Sequence, residues 1–86
     1  VYKRQVFAPR LEIINYYMEE LRKYGWEFIA EKDNVEKSNG KKVEEKYIFR
    51  NGTYELQISF PVETTVNFEG VVYEKSYYII VFPINR

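Results

Sequence analysis

The sequence predicts an α+β fold in which one helix packs on a curved antiparallel sheet, in the order β-α-β-β-β-β. Three observations predict it. One stretch carries apolar residues at helical spacing, and the later stretches alternate with a period of two. The dipeptides Asn39-Gly40, Asn51-Gly52 and Glu69-Gly70 then join those stretches with their apolar faces aligned.

Residues 2–7 (YKRQVF) read as a short first strand, with Tyr2 and Val6 on one side and Lys3 and Gln5 on the other. Pro9 stops it and suits a first helical turn. From there Leu11, Ile14, Met18 and Leu21 recur at helical spacing with Tyr17 beside them. Arg22 and Lys23 stand where the helix dipole favours cations, and Gly25 is the residue expected just past a helix end. The spacing predicts a helix over 9–24.

Beyond Gly25 the period becomes two, with Trp26, Phe28 and Ala30 pointing one way and Glu27, Ile29 and Glu31 the other. A two-residue turn at Asn39-Gly40 would set Ala30 opposite Phe49 and Lys32 opposite Tyr47. The same turn at Asn51-Gly52 pairs Phe49 with Tyr54, Tyr47 with Leu56, Glu45 with Ile58 and Val43 with Phe60. At Glu69-Gly70 it pairs Val66 with Tyr73, Phe60 with Ile79 and Ile58 with Val81. Each turn keeps one face apolar, and a one-residue slip at any of them would invert it. Pro61 interrupts the third long strand, where a bulge or bend is expected.

Long bent hairpins curl. A curled sheet gripping one helix looks like the cystatin and monellin architecture, with the first strand alongside residues 26–32; a flatter sheet with that strand placed centrally is the alternative. The likeness does not extend to protease inhibition, because the Gln-x-Val-x-Gly hairpin of the cystatins is missing from all three tips. The opening Tyr2-Lys3, the short amphipathic helix, and Gly25-Trp26-Glu27 leading into Phe28-Ile29 resemble small bacterial and phage domains of unknown function that carry a strand, helix, Gly-Trp-Glu, strand signature. That resemblance covers the first third of the chain. It implies a fold and no activity.

The 86 residues form one expected domain, 1–86, small enough that aromatics must supply much of its core: nine Tyr, six Phe and one Trp. Trp26 heads the inward row and is expected in that core. The charges balance at 13 against 13, which argues against the strong basic field of a nonspecific nucleic-acid binder. Cysteine and histidine are both absent, which removes disulfides, thiol chemistry and the side chain most used for catalysis near neutral pH. A transition-metal site is therefore not expected, there is no Gly-rich phosphate loop, and no cofactor is implied. The neighbouring glutamates Glu19-Glu20 and Glu44-Glu45 diverge on a helix or strand, so neither makes an acid/base couple. The longest apolar run, 77–82, is far short of a membrane span, and no charged-then-apolar leader opens the sequence. A soluble protein without membrane attachment is expected, with the cytoplasm the favoured compartment.

Two surfaces depart from the pattern. Lys32, Glu45 and Lys75 fall on the otherwise apolar face at the sheet end beyond the helix C-terminus; with Tyr47 they form a candidate ligand pocket, although solvated charges give the same pattern. On the opposite face, Tyr78, Ile80 and Phe82 point outward beside Ile29 and Ile48, a candidate interface for a partner or a second copy. Aromatic rows on a sheet can stack bases, although these rows are better read as core, and Lys3, Arg4 and Arg10 gather near the first strand; both features favour single-stranded nucleic acid. Asn51-Gly52-Thr53 also matches the glycosylation sequon, as a turn that wants Asn-Gly easily does. The function expected is a nonenzymatic protein-binding or self-associating module, such as a homodimer. A small-molecule cup and a single-strand binder are the alternatives.

Overall fold

The computed structural model describes residues 2–84; Val1, Asn85 and Arg86, part of the domain expected over 1–86, lie outside the described residues. The elements are β1 (Tyr2–Pro9), α1 (Arg10–Lys23), β2 (Glu27–Val35), β3 (Lys42–Asn51), β4 (Tyr54–Pro61), a 3₁₀ turn (Val62–Thr64), β5 (Thr65–Phe68) and β6 (Val71–Pro83). The sheet is antiparallel throughout, in the order β1-β6-β4-β3-β2, with β5 paired to β6. The first strand therefore lies against β6 and not against β2, which corrects both placements expected for it. Parity alone could not choose between the two edges, because β1 is apolar on one side and polar on the other.

The helix starts after Pro9 and ends in a Schellman motif. The Trp26 N–H donates to the Leu21 carbonyl at 2.9 Å and the Gly25 N–H to that of Arg22 at 3.1 Å, with Gly25 at φ 87. This reversal sets Trp26 against the core, where it stays half-buried, as its size favours. The core joins Ile13 and Ile14 of α1 to Phe49, Leu56, Ile58, Phe60 and Tyr77 of the sheet, with Tyr17, Met18 and Leu21 packed alongside. Ile58 and Phe60 are completely enclosed, a burial worth about 1.5–3 kcal/mol for each such side chain.

The β3–β4 turn uses Gly52 and Thr53, not Asn51 and Gly52. Gly52 takes the first central position at φ 61, so Asn51 pairs with Tyr54 and Phe49 with Leu56. Every pair is displaced by two residues from the expected register, which leaves the faces unchanged. The Glu69-Gly70 turn is as expected, with Val66 opposite Tyr73, and both its residues have positive φ, the type I′ pattern. Pro61 ends β4, and the 3₁₀ turn after it absorbs two residues, so Ile58 faces Ile79 with parity again intact.

At Asn39-Gly40 the outcome differs. The Glu36 N–H donates to the Lys41 carbonyl and the Gly40 N–H to that of Glu36, so the loop holds four residues instead of two. A loop of that length displaces the register by two and sets Val35 opposite Lys42; the irregularity between Asn34 and Val35 then moves it by one, so Ala30 faces Ile48, Glu31 faces Tyr47 and Lys32 faces Lys46. A bulge between Phe28 and Ala30 restores the expected parity, with Phe28 opposite Phe49. From Ala30 to Asn34 β2 is inverted relative to expectation. Ala30 and Lys32 turn away from the helix, and Glu31 turns toward it.

Candidate functional site

Where β1 becomes α1, Arg10 is carried over the inner face of the sheet. Its guanidinium pairs with the carboxylates of Glu45 on β3 and Glu74 on β6 and lies 5.2 Å from the centroid of the Phe60 ring. Glu74 has 0 % exposure and also accepts from the Thr65 hydroxyl at 2.6 Å. Lys42 Nζ approaches the other oxygen of Glu45 at 2.5 Å. Each carboxylate thus meets a cation, the condition under which charges survive burial.

Beside this cluster runs a groove of about 480 Å³ between the first turn of α1, Tyr47 and the tip of the β5–β6 hairpin. Leu11, Ile14, Val71 and Val72 give it apolar walls, and Arg10 is its only charged lining residue among the described residues. Leu11 stands 70 % exposed at the rim. The Tyr47 hydroxyl is held protonated: burial raises its pKa, Glu31 adds to the rise, and Arg10 opposes it. The groove thus offers apolar walls, one neutral hydroxyl, and a guanidinium already satisfied by two carboxylates.

Of the four residues expected in the pocket, Glu45 and Tyr47 belong here. The site lies at the helix N-terminus, not beyond its C-terminus, and the helix itself supplies the partner of Glu45. Lys32 is excluded by the one-residue shift of β2 and lines a polar depression on the other face with Lys46, Arg50 and Glu55. Lys75 is an exposed residue of β6 that does not line the groove. Sequence reasoning missed Glu74 altogether and placed Arg10 with the wrong neighbours, because nothing local links residues 64 positions apart.

The five interface candidates do not form one patch. Tyr78, Ile80 and Phe82 run along the outer side of β6 opposite Ser59, Gln57 and Glu55 of β4. Arg50, Glu55 and Gln57 make a hydrogen-bonded polar ladder that separates them from Ile48. Ile48 is itself 6 % exposed among its neighbours, and Ile29 is the exposed extra residue of the β2 bulge. The cations near β1 also disperse: Lys3 covers the Tyr78 ring on the outer face, Arg4 sits opposite Tyr77 on the inner face, and Arg10 is held by its carboxylates.

No helix among the described residues is long and apolar enough to cross a membrane. Comparison of the chain with protein-family models, with curated proteins and with solved structures found no match.

Proposed function

We propose that the protein is a nonenzymatic interaction module that takes an apolar side chain of a second protein, in the simplest case another copy of itself, into the groove at the start of α1. The observation that carries this reading is the neutralised guanidinium. Among the described residues Arg10 is the only charge on the groove wall and is saturated by Glu45 and Glu74, so an anionic metabolite finds no free cation among them, while Leu11 offers an exposed apolar rim. The dispersal of Lys3, Arg4 and Arg10 supports a protein partner over a nucleic acid. The absence of His and Cys supports a role outside catalysis.

Sedimentation equilibrium of the wild type and Leu11→Glu tests it. The wild type is expected to self-associate with rising concentration and the variant to remain monomeric. If the wild type is monomeric throughout, selection from a displayed peptide library should return binders with aliphatic or aromatic anchors whose affinity falls at least about tenfold on Leu11→Glu. Failure of both measurements removes the proposal.

A further inference from the structure

A second cleft, of about 370 Å³, opens between β1 and α1. Arg4 enters it from the sheet, opposite Tyr77, and Glu12, Tyr16 and Tyr17 enter it from the helix. Tyr17 stands edge-on to Tyr16 at 5.1 Å and to Tyr77 at 5.8 Å, so the rings present faces in more than one direction. The Tyr17 and Tyr77 hydroxyls share a hydrogen bond of 2.8 Å. Burial and that bond raise the pKa of Tyr17 and keep its hydroxyl neutral. Among the described residues neither Arg4 nor Glu12 takes part in an ion pair, although both line the cleft and both are exposed.

We propose that this cleft binds a small zwitterion, its carboxylate on Arg4 and its ammonium against the tyrosine rings beside Glu12. The guanidinium fork matches a carboxylate with two parallel hydrogen bonds. Aromatic faces attract an ammonium within about 6 Å of the ring centroid, and the carboxylate of Glu12 adds to that attraction. Two opposite charges set apart on one cleft also select by rejection: a simple anion meets Glu12, and a simple cation meets Arg4. Val6 and Ile13 complete the lining and suit the aliphatic part of such a ligand. A free α-amino acid with an aliphatic side chain, or a betaine, has this chemistry. The inference uses none of the groove residues around Arg10 and stands apart from the partner reading.

Isothermal titration with L-leucine and glycine betaine tests it, with acetate and tetramethylammonium as single-charge probes. At least one zwitterion is expected to saturate the protein, with both single-charge probes about tenfold weaker or more. Arg4→Gln and Glu12→Gln should each weaken zwitterion binding about tenfold, while Arg22→Gln in the last turn of α1 should leave it unchanged. Ring-proton shifts of Tyr16, Tyr17 and Tyr77 during an NMR titration of the wild type locate the ligand without any variant. The proposal is overturned if neither zwitterion binds, if acetate or tetramethylammonium matches them, or if the shifts fall elsewhere.

Discussion

Arg10 and Glu74 stand 64 positions apart in sequence and form an ion pair in which the carboxylate has no contact with solvent. With Glu45 they fasten the first turn of α1 to two strands at once. Arg10→Ala would leave two carboxylates enclosed without their cation and should lower stability by about 3–5 kcal/mol in urea unfolding. Replacing Arg10, Glu45 and Glu74 together by apolar side chains of similar length should recover most of that loss. A triple variant as unstable as Arg10→Ala would show that the strain lies elsewhere.

Glu69 is the only non-glycine among the described residues with positive φ, at 50, in a turn type that favours asparagine there. Glu69→Asn should therefore stabilise the protein by about 0.5–1 kcal/mol, a fraction of the penalty an ordinary side chain carries in the left-handed region. The denaturant midpoint should rise with its slope unchanged.

The Asn51 side-chain amide donates to the Tyr24 carbonyl at 3.1 Å and ties the β3–β4 hairpin to the end of the helix. Asn51→Ala should cost about 0.5–1.5 kcal/mol, the usual net worth of one hydrogen bond. Faster amide exchange confined to the last turn of α1 and to Trp26 would show that the loss is local.

What could be read from the sequence follows from how each turn errs. The β3–β4 turn and the 3₁₀ turn after Pro61 both shift the register by two, so Phe49, Leu56, Ile58 and Tyr77 still face the helix. The irregularity between Asn34 and Val35, which no residue type announces, shifts it by one, and a shift of one inverts a strand: Lys32 left the expected pocket and Glu31 turned to the helix side in its place. Alternation reports which face a residue takes, but not which edge a strand joins. β1 was therefore misplaced, and with it went the chance of seeing that Arg10 meets Glu74. Glu45 and Tyr47 were found because charge on an apolar row is visible locally.

Tyr17 and Tyr47 both have raised pKa values, chiefly through burial. In the unfolded chain a tyrosine ionises near pH 10, so the unfolded state loses its proton first as pH rises. Their contribution is complete below about pH 10 and is lost above it. Stability should fall as pH climbs past that point, and Tyr47→Phe should flatten the fall. An identical slope in the variant would show that Tyr47 ionises as freely in the folded protein as in the unfolded chain.

Ile80→Lys separates the two faces of the sheet. The polar ladder of Arg50, Glu55 and Gln57 splits the outer apolar residues, so this change should leave circular dichroism and sedimentation as in the wild type while Leu11→Glu alters association. If Ile80→Lys dissociates the protein and Leu11→Glu does not, the outer face of β6 is the contact surface.

β6 pairs with β1, β4 and β5, so a strand that comes late in chain order holds the sheet together. On the ribosome, β1, α1 and the β2–β3–β4 meander emerge with neither the surface that β1 needs nor the Glu74 that Arg10 needs. The nascent chain must remain open, with β1 and one edge of β4 unpaired, until β6 clears the exit tunnel. Such a chain folds only once β6 is available, and the interval before that is when it is most exposed to aggregation.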